Sequence, residues 1–449
     1  MSEEATLDEF ASTSGNRNKE WSEEKLRNLI ERDEAGVWGD ESSGNGVRVL
    51  RATNYAPNNI DLSDVAIRDI PDSKKGSKEL KSGDIVVERS GGSADQPVGR
   101  VLFFDLEGEY YHGNFLRQLR PDTSKINSRY LYYRLDYDYR RGNTKPLQTN
   151  TTNIRNLQYT SYLNQNISTP PKSQQRKIAT VLYTVDRAIE KTNEIITHVE
   201  KLRKAIIDRI FTSGYREHPQ RQSEYIGPRK VEYPAEWSSV NLEEITSKVT
   251  KGKTPTSYGS DYVDSGINFI KVESIRESGG FDKTMFDYIG NDAHEHLSGS
   301  ELQDDDILFS IAGALGKVAI VTKSQLPANT NQALALIRID DSRVLPEYVR
   351  YYLETAIIQK YIQSIATTTA QSNLNLKQVS EFRVLLPDVD EQKEILEAIQ
   401  AVERRLENER LQKQTLKRLK RGLMQDLLSG TVRTTDTNIE VPEEIAQYG

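Results

Sequence analysis

Gln174-Gln175-Arg176-Lys177-Ile178 and Glu391-Gln392-Lys393-Glu394-Ile395 decide how this chain is read. They align at an offset of 217 residues, 391 against 174. Working outward, the same offset pairs Pro170 with Pro387, Asn156-Leu157 with Asn373-Leu374, and Gly99-Arg100-Val101 with Gly316-Lys317-Val318. Tyr130, Tyr133 and Leu135 meet Tyr348, Tyr351 and Leu353 one residue off that register. Glu20-Trp21 matches Glu236-Trp237, and Asp84-Ile85-Val86 matches Asp306-Ile307-Leu308. Loop insertions shift such a register by a few residues without changing its order. A period of about 215 residues is too long for a solenoid, so it marks a duplicated domain pair.

Downstream of the first motif, Ile178, Leu182, Val185, Ile189, Ile196, Val199, Leu202, Ile206 and Ile210 recur at helical spacing. The second motif is followed by Ile395, Ile399, Val402, Leu406, Leu416, Leu419, Leu423 and Leu427. No proline interrupts either stretch. The pattern predicts two amphipathic helices of about 40 residues, some 60 Å long at 1.5 Å per residue. A narrow apolar seam needs a partner. An antiparallel pairing of the two helices within one chain supplies it and gives the copies a pseudo-twofold. Thr212-Ser213-Gly214 and Ser429-Gly430 are the stops, with glycine past the end.

Upstream of each motif lie short β-branched runs, at Gly46–Ala52, Ile85–Glu88 and Gly99–Phe104, then at Ile267–Val272, Asp306–Phe309 and Lys317–Val321. Gly, Ser, Asn and Asp clusters separate them, which predicts short strands and turns. A helix is expected over Ser128–Tyr139 and again over Pro346–Ile365. Proline joints follow at Thr169-Pro170-Pro171 and Leu386-Pro387, where a helix can begin. The fold class expected is α+β: two pseudo-symmetric α/β domains separated by a long antiparallel two-helix coiled coil. The expected boundaries are an acidic disordered tail 1–19, domains 20–170 and 215–386, helices 171–214 and 387–430, and an acidic C-terminal tail 431–449.

Composition excludes several classes. The 449 residues contain no cysteine, which rules out a disulfide framework, a Cys zinc site and a cysteine nucleophile. No apolar run approaches the ~18 residues of a membrane helix, and Met1 to Lys19 is acidic and polar, unlike a secretory signal. A cytoplasmic protein with no membrane partner is expected. The net charge of −7 is uneven. Residues 1–41 hold 12 acids and 5 bases, and residues 434–449 four acids and no base. The body, 42–433, is therefore +4 and can touch phosphate locally.

Catalytic and metal motifs fail on inspection. Gly313-Ala314-Leu315-Gly316-Lys317-Val318 is too short between glycines for a P-loop and lacks the Ser or Thr for magnesium; it reads as a turn between strands. Thr169-Pro170-Pro171-Lys172 has the Pro-Pro of adenine methyltransferases without their Asn or Asp and aromatic; it reads as a helix start. Pro387-Asp388 with Glu391-Gln392-Lys393 has the residue types of a nuclease, but on a helix start, where acids suit the dipole. His294-Glu295-His296 reads as a solvated loop rather than a metal site. A non-catalytic binding and assembly protein is expected, against the alternatives of a stand-alone methyltransferase or nuclease, or a coiled-coil adaptor without a DNA role.

Two variable domains, each followed by a helix opening with Pro-x-x-x-Gln-Gln or Glu-Gln-x-x-Ile and closing with Ser-Gly, resemble the specificity subunit of type I restriction–modification systems. The resemblance spans about residues 20–433. It is carried by Gly252-Lys253-Thr254-Pro255, Asp306-Ile307-Leu308-Phe309-Ser310, Leu315-Gly316-Lys317, Asn329-Thr330-Asn331-Gln332, Pro387 through Gln392 and Leu416 through Gly430. The first copy departs more, with Glu88-Arg89-Ser90 in place of Phe309-Ser310 and no Thr-Pro element. The resemblance implies that each variable domain is a target recognition domain reading one half of a bipartite sequence in double-stranded DNA. It implies that the helices are spacers fixing the half-site separation. Two modification (methyltransferase) subunits would bind S-adenosylmethionine, and restriction subunits would use ATP and Mg; this chain would hold no cofactor. One added helical turn would move a reader by ~5.4 Å.

Base reading needs Arg, Lys, Asn, Gln and small polar residues on loops. In the second domain the candidates are Lys251, Lys253, Thr254, Ser257 and Tyr258, then Lys271, Glu273 and Ser274, then Gln371, Ser372 and Asn373. In the first they are Arg51, Thr53, Asn54 and Tyr55, then Arg89 and Ser90, then Arg140, Arg141, Lys145 and Gln148. The basic run Arg410, Lys413, Lys417, Arg418, Lys420 and Arg421 reads as a solvated helix flank, against the alternative of contact with DNA phosphate or with a modification subunit.

Overall fold

A computed structural model describes residues 21–42, 44, 46–56, 59–93, 95–151, 154–276, 279–368 and 373–449; the acidic segment 1–19 and the candidates Gln371 and Ser372 lie outside these. The chain forms two compact units, one of residues 1–194 with 410–449 and one of residues 195–409.

In the first unit, Ser22–Lys25 pairs antiparallel with Asn166–Thr169. A four-stranded antiparallel sheet runs in the order Val101–Phe103, Ile85–Glu88, Leu116–Pro121, Ile30–Ala35. A second sheet has the order Tyr110–His112, Val47–Leu50, Ala66–Asp69, Asp40–Glu41, with its first pair parallel. Helix α1 (Ser128–Arg140) and the start of α2 (Lys172–Ser213) cover the first sheet's outer face. Side chains alternate along a strand. Ile85 and Val87 therefore enter the helix-side core, and Val86 enters the core formed with Leu50, Leu102 and Leu116. This double burial explains the unbroken apolar run at 85–87.

The second unit repeats every one of these parts. Ser238–Asn241 pairs with Arg383–Leu386. The first sheet runs Val318–Ile320, Ile307–Ser310, Leu334–Ile339, Thr246–Lys251. The second runs Ala328–Thr330, Ile267–Ile270, Asp287–Ile289, Tyr262–Val263, again with a parallel first pair. Ile307 and Phe309 face one core and Leu308 the other. Gly36 and Gly252 follow equivalent strands. A side chain on either would strike a backbone carbonyl oxygen, that of Gly113 at 2.0 Å or that of Thr330 at 1.7 Å, so only glycine fits.

The expected single helix at 346–365 is two helices, α3 (Pro346–Glu354) and α4 (Ala356–Thr368). The chain is extended at Thr355, and Asp208 Oδ1 accepts the Ala356 N–H at 2.7 Å, capping the new helix. His294-Glu295-His296 is helical rather than a loop, within Asn291–His296, and His294 Nδ1 meets Asn329 Oδ1 at 2.5 Å. The turn at 313–316 joins two strands as expected, with Gly313 and Gly316 at positive φ.

Helix α5 (Val389–Leu428) and α2 are each unbroken across the boundary between the units, so each unit holds half of both. They pair antiparallel. In the first unit Lys420 meets Asp186 at 2.6 Å, and Lys413 meets Asn193 at 2.5 Å: seven steps up one helix match seven down the other. In the second unit Arg203 meets Glu403 at 2.7 Å. The seam is less apolar than its spacing implied. Leu202 and Leu419, equivalent positions, are each about half exposed, while Glu409 and Lys420 are buried.

The repeated motif holds each domain to its helix. Gln175 Nε2 donates to Pro170 O at 2.7 Å, and its Oε1 accepts the N–H of Asn127, the cap of α1, at 2.7 Å. Gln392 does the same for Pro387 O at 3.0 Å and the N–H of Leu345, before α3, at 2.9 Å. Trp21 Nε1 donates to Gln174 and Trp237 Nε1 to Glu391. The carboxylates that suggested a nuclease are thus occupied: Asp388 caps the Glu391 N–H, and Glu391 accepts from Trp237 and meets His218. Residues 431–449 fold back onto the first unit. Ile445 and Tyr448 are in its core, and Asn127 Nδ2 donates to Ile445 O and Gly449 O.

Candidate nucleic-acid interface

In the second unit several loops converge at one end of the sheets. Lys251 ends its strand, exposed; Gly252 N–H then donates to Asn331 O. Thr254 Oγ1 donates to Gln332 Oε1 at 2.5 Å, and Pro255–Tyr258 forms a turn with Ser257 exposed. Lys253 Nζ reaches the Tyr258 hydroxyl at 2.5 Å and lies 5.2 Å from its ring centre; Tyr258 is nearly half exposed. Exposed Glu273 lines a cleft of about 210 Å3 with Gly313, Ala314, Lys317, Asn331 and Ala333. Exposed Asn373 precedes Leu374, whose N–H donates to Ile311 O beside that cleft.

Two other candidates of this unit have internal tasks. Lys271 pairs with Asp287 at 2.5 Å, which raises its pKa. Ser274 is fully buried; its Oγ accepts the Lys271 N–H and donates to Met285 O, and so offers nothing to a base.

In the first unit the corresponding loops carry other side chains. Arg89, half-buried, donates its N–H to Phe115 O, as Ile311 donates to Ala333 O. Phe115 is more than half exposed. Ser90–Gly92 is joined by the hairpin Gln148–Thr151 and Ile154–Leu157 into a three-stranded sheet that the second unit lacks among the described residues. Arg140 and Arg141 end α1, exposed. Arg140 pairs with Asp136 at 2.8 Å. Lys145 is exposed on the following turn, and Gln148 Nε2 points back to Thr144 O.

The 51–55 candidates divide. Thr53 is exposed, and Arg51 pairs with Asp64 at 2.8 Å. Asn54 is buried and closes the turn, accepting the Arg51 N–H and donating to Asp61 O. Tyr55 is buried, donating to Val86 O beneath the Arg100 guanidinium; burial raises its pKa. Ser90 is also buried, donating to Asn156 Oδ1. Asn54, Tyr55 and Ser90, like Ser274, are thus buried and hydrogen-bonded within the unit. Sequence reasoning missed Phe115, Asn331, Gln332 and Ala333 as loop-end residues. The Asn-Thr-Asn-Gln run at 329–332 was the available signal. Among the described residues no group of three or more His, Asp or Glu could hold a metal, and no helix is long and apolar enough to cross a membrane.

Two copies of one sheet scaffold, each tied to helix halves and each presenting different polar loop ends, define a paired recognition scaffold. The family model for the type I restriction modification DNA specificity domain matches residues 42–201 and 234–418. The type I restriction enzyme MjaVIII specificity subunit of Methanocaldococcus jannaschii is 24% identical over 298 residues, 65% of this chain and 68% of that protein. The type I restriction enzyme EcoKI specificity subunit of Escherichia coli is 25% identical over 368 residues, 78% of this chain and 74% of that one. The crystal structure of the type I restriction–modification S subunit from M. genitalium shares the fold, with a TM-score of 0.52 at 16% identity over 92% of this chain and 97% of that one. The chain belongs to the type I restriction–modification specificity-subunit family.

Proposed function

We propose that this specificity subunit reads a two-part sequence in double-stranded DNA, one half with each unit, and positions two modification subunits and the restriction subunits around it. One observation carries this reading. The scaffold recurs strand for strand, and the side chains at matching loop ends differ: Arg89 against Ile311, Phe115 against Ala333. Duplicated scaffolds with unlike reading edges suit an asymmetric target. Phosphate contacts set register and base-edge contacts specify, so the readers proposed are half-buried Arg89 and exposed Lys145 in the first unit, and exposed Lys251, Lys253, Ser257, Tyr258, Glu273 and Asn373 in the second. Glu273 suits acceptance from a cytosine amino group.

Leu202 and Leu419 support two copies of one partner, because equivalent half-exposed leucines recur on α2 and α5. The partners would bring the chemistry: S-adenosylmethionine for adenine methylation, ATP and Mg for restriction. This chain contributes positioning. Mapping methyladenine across a genome with and without the chain tests the reading. A two-part asymmetric motif with a fixed gap, lost on deletion, is the expected result. Methyl transfer by the purified chain alone would overturn it.

A further inference from the structure

We propose that a basic cleft in the first unit, walled by the end of α1 and the last turns of α5, holds the phosphate backbone of duplex DNA without reading its bases. The proposal rests on the DNA-reading function above and adds to it a sequence-independent grip.

The cleft measures about 830 Å3. Among the described residues its lining holds five cations, Arg140, Arg141, Lys417, Lys420 and Arg421, and no carboxylate. Two of these are engaged inside the unit, Arg140 by Asp136 at 2.8 Å and Lys420 by Asp186 at 2.6 Å. Three remain for a ligand. Arg141 is exposed and braced by Tyr137, its Nη1 2.8 Å from the hydroxyl. Lys417 and Arg421 are exposed, one helical turn apart on α5, with no ion pair among the described residues.

The second unit shows why the cleft is open. Gln425, on its wall, corresponds to Asp208, which caps α4; Ile358 and Ile362 of α4 are buried in that unit's core. Among the described residues the first unit has no such helix. Past Arg141 the chain turns at Gly142, with φ +81°, into the Lys145–Leu147 turn and the hairpin. A partner helix would find little apolar footing, because Tyr137, Ile189 and Met424 are already buried. What faces outward is positive charge, next to the turn that carries Lys145. That combination suits a polyanion continuous with the reading edge.

The test uses the full chain in complex with its modification subunits and the triple variant Arg141→Gln, Lys417→Gln, Arg421→Gln. Fluorescence anisotropy compares a duplex bearing the mapped target with a scrambled one between 50 and 200 mM salt. With a loss of ~0.9 in salt slope per phosphate contact, the log–log slope should become shallower by about 2.7. Affinity should fall at least about tenfold, by the same factor on both duplexes, leaving the preference for target intact. Lys417→Arg should keep the wild-type slope, and Arg421→Gln alone should lose about 0.9 if the triple variant melts early. An unchanged slope, or a loss confined to the target duplex, overturns the proposal. So does release of the modification subunits at unchanged slope, which would make the cleft a protein contact. A wild-type complex that binds both duplexes equally would instead sink the DNA-reading function, while the slope would still decide the cleft.

Discussion

Where the first unit leaves α1 it turns outward into a hairpin; at the same point the second unit starts α4. Up to that point the two share the order of their strands and the node that ties each domain helix to the long helices. Tyr133 donates to Asp186, which pairs with Lys420. Tyr351 donates to Glu403, which pairs with Arg203. Each node ties a domain helix to both long helices. Beyond the node the chain has no helix pair to satisfy, and there the copies diverge. What duplication retained is the attachment, and what it released is the edge. The nodes differ in one respect. Arg203 pairs with a second carboxylate, Glu354, at 2.7 Å, and Glu354 holds Arg350, while the cation of the first node is a lysine, Lys420, meeting Asp186 at 2.6 Å.

That difference sets the largest expected effect. Asp186→Ala removes the carboxylate that meets the buried Lys420 ammonium at 2.6 Å and should cost about 3–5 kcal/mol in urea unfolding. Glu403→Ala leaves Arg203 with Glu354 and should cost about 1–2 kcal/mol less. Equal losses would mean that the second carboxylate in the second unit does not share the load.

Next comes a difference in acid sensitivity. His112 pairs with Leu50 in the parallel ladder, where the second unit pairs Thr330 with Ile270. Burial pushes the His112 imidazole down to about 4, while Thr330 does not titrate and donates to Ile270 O. Below the ordinary histidine value of about 6.5 the unfolded chain takes up a proton that the folded unit refuses. Stability of the first unit is therefore full above about pH 6.5 and falls as the pH drops toward about 4, by roughly 3 kcal/mol. Unfolding followed against pH should show the first unit failing first, and His112→Thr should flatten its profile. A parallel decline of both units, unaltered by that substitution, would refute the assignment.

The parts of this comparison that could be read from sequence share a physical reason. The long helices were legible because their apolar residues recur over some forty proline-free positions and the same motif opens both. Strand positions were legible because residues 85–87 and 307–309 bury both faces. The break at Thr355 was not, since its cause, Asp208, lies 148 residues away in the chain. Leu202 and Leu419 match the helical period and still face outward, because polar groups such as Glu409 and Lys420 occupy part of the seam. The reading residues were the least legible. Ser, Asn and Tyr serve turns and base edges with the same atoms, so the sequence does not separate Ser90, Ser274, Asn54 and Tyr55, which are buried, from the exposed loop residues.

Loop ends give the third test. Glu273→Gln replaces an acceptor-only edge by a mixed one in the second unit, and Arg89→Ala removes a donor fork in the first. Each should change discrimination at one half-site by about 1–3 kcal/mol and leave the other half unchanged. Selection from a randomised duplex pool reads both halves at once. A change in both halves from either substitution would mean that the units do not read independently.

The smallest effect probes the divergence itself. Asp208 and Gln425 are equivalent, but only Asp208 has a helix to cap, at the Ala356 N–H. Asp208→Ala should cost about 1 kcal/mol, the ordinary loss for a cap. Gln425 is exposed, with no helix starting above it among the described residues, so Gln425→Ala should stay within about 0.5 kcal/mol of wild type. If Gln425→Ala costs as much as Asp208→Ala, the first unit has an unrecognised element resting on α5 at this position, and the cleft beside it is not open.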